Sequence, residues 1–116
     1  MVAKLYILNT MMVPLSLQVG EEAVVTFRRV SVEEAQKLVK SGYTVVSAVG
    51  HEPTARLLSS LLSYPVAYNR IAVTVEDGDT CLHFKVLGRL PEGQVIGLDE
   101  LEKIGYELYV SVTVRK

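Results

Sequence analysis

Four side chains in this sequence have the chemistry to move a proton and hold a phosphate: His51, Arg70, Arg89 and Glu92. An imidazole titrates near neutral pH and can hand a proton to a departing oxygen. Guanidinium groups grip phosphate oxygens and offset the charge that builds on them. A neighbouring carboxylate favours the protonated imidazole. The set is therefore sufficient for phosphodiester cleavage without a metal. Taken singly, each residue has a plainer explanation. A histidine where a strand meets a helix often caps or packs. An arginine opening an apolar strand can snorkel from a sheet edge. Arg89 and Glu92, flanking Leu90-Pro91, can form a surface ion pair on a turn, which is worth little.

Other chemistry is hard to place. His51–Ala55 (HEPTA) begins like the zinc-binding HExxH motif, but position 55 is alanine and the second ligand is missing. There is no phosphate-binding Walker loop, no GxSxG elbow and no paired-cysteine motif. No compelling carboxylate cluster suggests a metal-dependent nuclease. Neither a metal site nor a cofactor is expected. His83, inside an apolar strand with no acidic or histidine partner at ligand spacing, reads as structural.

The elements that must position these residues follow from patterning. Val2–Leu8 reads as a strand, and Asn9–Gly20 as a long loop open to a functional role. Ala23–Arg29 is a second strand. Ser31 and Glu34 form a capping box that opens a helix with Val32, Ala35, Leu38 and Val39 on its apolar stripe; Gly42 ends it. Tyr43–Val49, rich in β-branched residues, is a buried strand ending at Gly50-His51-Glu52-Pro53. A helix from about Pro53 to Ser63 follows, with proline suited to its first turn. His51 thus falls where open α/β sheets bind ligands and where helix N–H groups favour an anion. Arg70–Val75 and Thr80–Leu87 read as a hairpin turning at Glu76–Asp79. GRLPEGQ reads as a loop, Asp99 as the cap of a short helix over Glu100–Ile104, and Tyr106–Val114 as the last strand. The order β-β-α-β-α-β-β-α-β predicts an α/β (α+β) fold: one domain over residues 1–116, a mixed sheet with helices packed on it.

Bulk properties agree. The chain has 116 residues, 49% of them apolar and 22% charged, which suits one folded domain with a real core. Its net charge of −1 argues against coating duplex DNA by charge neutralisation. Phosphate recognition must come from a few positioned cations. Asn9, Thr10 and Pro14 interrupt the apolar stretch at the start, so a first strand and its loop explain it better than a signal peptide. No apolar run approaches the ~20 residues that span a bilayer, so no membrane partner is expected. The lone Cys81 fits a reducing cytoplasm.

Leu8-Asn9, Ser47-Ala48-Val49-Gly50-His51, Asn69-Arg70 and Arg89-Leu90-Pro91-Glu92-Gly93 occur together in a specific order and separation. In these blocks, and over nearly its whole length, the chain resembles the viral anti-CRISPR ring nucleases of type III systems and their bacterial and phage relatives. That resemblance implies a homodimer holding a two-fold symmetric ring, cyclic tetra-adenylate, across its interface. It implies His51 as general acid, Arg89 on the scissile phosphate and Glu92 orienting His51 or retaining its proton. Arg70 would be a second phosphate ligand, with Asn9, Gly50 and Lys85 contributing to substrate binding. The chain departs from some viral relatives at Met11, Met12 and Pro14, where they carry a hydroxyl residue and an amide. It departs again at Lys85, where they carry glutamine. The first departure motivates a second expectation, a module that binds cyclic oligoadenylate without cutting it.

Overall fold

The computed structural model describes residues 3–89 and 96–116. Five strands and three helices alternate along the chain: β1 (Lys4–Leu8), β2 (Ala23–Val30), α1 (Val32–Val39), β3 (Thr44–Ser47), α2 (Glu52–Leu62), β4 (Thr80–Val86), α3 (Leu98–Ile104) and β5 (Tyr106–Arg115). They form one mixed sheet in the order β2-β5-β4-β1-β3. β1 runs parallel to both neighbours, with Ile7 opposite Ser47 of β3 and Leu8 opposite His83 of β4. β5 is antiparallel to both β4 and β2.

The strand sequences explain the placement. β1 and β4 are nearly continuous apolar runs because both of their faces are covered, as central strands require. Leu5, Ile7, Leu82, Phe84 and Leu108 pack beneath Ala35, Val39, Leu58, Leu62 and Leu101 of the three helices. On the opposite face, Tyr6, Leu8 and Cys81 are covered by chain segments without regular structure, through Val13, Leu15, Val73 and Val75. The sheet is therefore a wall between a helical layer and a layer of loops.

The capping box of α1 forms as expected, with Glu34 N–H donating to Ser31 Oγ at 3.1 Å and Ser31 N–H donating to Glu34 Oε1 at 3.3 Å. Gln36 then donates to the Leu61 carbonyl at 2.9 Å, tying α1 to α2.

Three expectations need correcting. The hairpin is absent: residues 70–75 form no strand, although the turn after them closes with Asp79 N–H on Glu76 O at 3.1 Å. The reason is valence. β4 already has β1 on one edge and β5 on the other, so no ladder position is left. Val75 N–H instead donates to the Pro14 carbonyl at 2.9 Å, and the segment serves as cover for the sheet. Next, α3 starts at Leu98 behind Gly97, with no side-chain cap. Asp99 lies within its first turn, where its charge suits the helix dipole. Finally, β3 stops at Ser47, and Val49 pairs singly with Tyr68. The expected loop over Leu90–Gln94 lies outside the described residues.

Candidate functional site

β1, β3 and β4 are mutually parallel, so their carboxyl ends open on the same edge of the molecule. From β1 the chain next enters the sheet at the far edge as β2, and only then flanks β1, with β3 on one side and β4 on the other. At that reversal the loop leaving β1 crosses to the loop-covered face, while β3 leads into α2 on the helical face. Divergence of two connections from adjacent strand ends creates the crevice where open sheets hold ligands.

His51 stands at the rim as the residue preceding α2, in extended conformation and exposed. Its Nδ1 lies 2.7 Å from Thr54 Oγ1, a hydroxyl on a residue only 5% exposed. With Nδ1 engaged, Nε2 has no hydrogen-bond partner among the described residues. The imidazole is thus oriented from within the protein and open outward. It makes no ion pair among the described residues.

Arg70 reaches this corner through a backbone arrangement. Asn69 N–H donates to the Val49 carbonyl at 2.9 Å, and Asn69 Nδ2 donates to the Ser47 carbonyl at 2.8 Å. Ser47 Oγ adds a bond to Ala67 O at 2.7 Å. Residues 67–70 are consequently zipped along 47–50, and the Arg70 stem lies over Gly50. A Cβ on Gly50 would come within 3.2 Å of Arg70 Cγ. Glycine at position 50 answers this close approach and not a left-handed backbone.

The remaining expected residues are placed less tightly. Asn9, half-buried, follows the end of β1 and so lies at the neighbouring strand end. Lys85 sits on β4, 4.0 Å from Glu107 Oε1, whose carboxylate also holds Arg29 at 3.2 Å and Tyr109 Oη at 2.7 Å. That cluster partly commits Lys85 to β5. Arg89 is exposed three residues beyond β4, at the same edge, and makes no hydrogen bond or ion pair among the described residues. Glu92 lies outside them. The structure therefore brings Gly50, His51 and Arg70 together, sets Asn9 on the adjoining strand end, and leaves Lys85 and Arg89 on the β4 side.

Sequence reading missed Thr54. Its signal is a hydroxyl three residues after His51, a spacing that puts both groups on one side of a first helical turn. Ser47 and Asn69 were legible as parts of a pattern but not as the bonds that dock Arg70. Among the described residues, no three His, Cys, Asp or Glu side chains gather as metal ligands.

These features define a class: a small α+β protein with a five-stranded mixed sheet and an imidazole–guanidinium corner at the ends of its parallel strands. Residues 5–108 match the model of the STIV B116-like family, and the chain belongs to that family. It is 39% identical over 107 residues to "Uncharacterized protein 26" of Sulfolobus islandicus filamentous virus, covering 91% of this chain and 88% of the relative. It is 41% identical over 107 residues to "Uncharacterized protein ORF117" of Acidianus two-tailed virus, covering 90% and 89%. The solved structure of B116 from Sulfolobus turreted icosahedral virus superposes with a TM-score of 0.77 at 21% identity. That match covers 95% of this chain and 99% of B116, and it shows a shared fold. No helix among the described residues is long and apolar enough to cross a membrane.

Proposed function

We propose that the protein is a metal-independent ring nuclease that opens cyclic tetra-adenylate and so silences type III CRISPR signalling. The observation that supports this reading best is the exposed His51, oriented through Nδ1 by Thr54 and flanked by Arg70 against Gly50. In the reaction, a ribose 2′-hydroxyl of the substrate attacks the adjacent phosphorus, its proton passing to water. The P–O5′ bond breaks, and His51 Nε2–H protonates the departing 5′-oxygen. Two such cuts yield linear di-adenylates ending at least partly in a 2′,3′-cyclic phosphate. His51 then regains a proton from solvent.

Thr54 supports the acid role, because its hydroxyl can accept from Nδ1–H in the imidazolium and leave Nε2–H aimed outward. Arg89 stabilises the equatorial phosphate oxygens and Arg70 holds a neighbouring phosphate. Glu92 helps His51 retain its proton, Asn9 and Gly50 line the ring, and Lys85 replaces an amide contact. A two-fold symmetric ring requires two copies of the crevice, so the working form is a homodimer. With relatives encoded by viruses, the activity defends an invader within the host cytoplasm.

The test is incubation of purified protein with radiolabelled cyclic tetra-adenylate, with sedimentation of the same sample. Cleavage by a dimer should survive EDTA, and His51→Ala should slow it by roughly 10²–10⁴ while leaving binding intact. An uncut ring in single turnover would remove the enzyme. Tight stoichiometric binding without product would instead establish a sequestering module. That second reading is favoured by the mouth of the β1–β2 loop, where Met12 is 74% exposed in place of a polar side chain.

A further inference from the structure

His83 is completely buried, and its imidazole lies on the face of β4 that also carries Cys81. Both of its nitrogens are used. Nδ1 lies 2.8 Å from the Thr10 carbonyl and Nε2 lies 2.7 Å from Ser111 Oγ on β5. A carbonyl has no hydrogen to give, so Nδ1–H is the donor to Thr10. In the neutral ring Nε2 then accepts from the Ser111 hydroxyl, which settles the tautomer. Burial disfavours the charged ring and keeps it neutral. The Phe27 ring of β2 leans over it with centroids 5.2 Å apart.

The partner on the loop side matters most. Thr10 is the second residue after β1, and its hydroxyl accepts the Met12 N–H at 2.8 Å. Thr10 is therefore held twice: its hydroxyl shapes the first turn of the loop, and its carbonyl fastens that turn to β4. Asn9, immediately before it, leaves β1 just past Leu8, the residue opposite His83 in the ladder. An aliphatic side chain at position 83 would fill the same space but remove the bond to the Thr10 carbonyl and take the imidazole partner from Ser111 Oγ, a hydroxyl on a residue only 1% exposed.

We propose that His83 is a positioning residue, a buried bracket that fixes the loop after β1 and thereby holds Asn9 at the crevice. The identity of the ligand rests on the ring-nuclease reading; the bracket itself belongs to the protein alone.

Two variants separate bracketing from space filling. In His83→Asn the amide nitrogen falls near the Nδ1 position and can still reach Thr10. In His83→Gln the amide falls near Nε2 and reaches Ser111 instead. Amide hydrogen exchange at Met11–Val13 should quicken about tenfold in His83→Gln and stay near the wild-type rate in His83→Asn. KM for cyclic tetra-adenylate should rise about 3- to 10-fold in His83→Gln, with kcat changed less, and recover in His83→Asn. Exchange unaltered in a folded His83→Gln, or a fall in kcat alone, overturns the proposal. Should His83→Gln fail to fold, NMR of the wild type decides: a scalar coupling from His83 Nδ1 to the Thr10 carbonyl carbon upholds the bracket, and its absence refutes it. Wild-type protein that ignores the ring while the exchange contrast persists overturns the ring-nuclease reading and leaves the bracket standing.

Discussion

At the scale of the residue, the candidate acid depends on a hydroxyl. Thr54 is almost fully buried and binds His51 Nδ1, so it orients the ring from inside the protein. Thr54→Val keeps the shape and removes the hydrogen bond. It should lower kcat about tenfold with little change in KM, whereas Thr54→Ser should retain most activity. Steady-state kinetics on both variants checks this, and equal activity in all three proteins would release Thr54 from the mechanism. The two histidines illustrate how environment divides one residue type. His51 keeps a nitrogen open to solvent, while His83 spends both on the interior. Cys81, beside His83, is equally interior: burial pushes its thiol up to about 11, so it is no nucleophile at neutral pH. His83 was legible as structural from its apolar strand. Its partners were not, because Thr10 and Ser111 lie 73 and 28 residues away in the chain.

At the scale of the element, the corner is built by close approach of two segments. Gly50→Ala would place a methyl group 3.2 Å from Arg70 Cγ, and the flexible arginine stem must yield. Stability should change by no more than about 1 kcal/mol, since backbone and core are spared. KM should rise several-fold as the guanidinium shifts. Thermal melting and KM measured on the same variant check both halves, and an unchanged KM would mean that Arg70 is not positioned by this contact. Elements with strong local signals were legible: the Ser31–Glu34 box and the Pro53 helix start need only neighbours within a turn. The 70–75 hairpin was not. Its alternation and its Asp77-Gly78 turn are real, but whether a strand pairs depends on which edges remain free, and β4 has none. Arg70 consequently leaves the sheet and docks on Gly50, so the failed strand is what completes the corner.

At the scale of the whole molecule, stability couples to pH through His83. Its folded-state pKa is lowered by burial from the ordinary 6.5, only partly offset by the bond to Thr10. The unfolded chain therefore binds a proton that the folded chain refuses, and stability falls as pH drops below about 6.5. The loss grows by up to about 1.4 kcal/mol per pH unit until the lowered folded pKa is reached. The titratable groups sharing its face are Lys4 and Tyr6 on β1, Cys81 and Lys85 on β4, Glu107, Tyr109 and Arg115 on β5, and Arg29 on β2. Denaturant unfolding of wild type and His83→Asn between pH 7 and 5 should show this component in the wild type and its absence in the variant. Parallel curves would assign the acid sensitivity elsewhere. The nearly balanced charge, 12 basic against 13 acidic side chains, also means that the charge of any ligand would be met locally and not by the molecule's overall field.

The architecture class, most of the elements and the types of side chain available for chemistry are written in the order of residues. Those follow from period, caps and composition, which act over a few residues. Tertiary structure decided which of them meet. Parallel pairing of β1 with β3 and β4 puts three strand ends on one edge, and a ladder with no vacancy sends 70–75 across a face. A buried imidazole ties the loop after β1 down. Each depends on contacts between residues distant in the chain, whose partners no local pattern names.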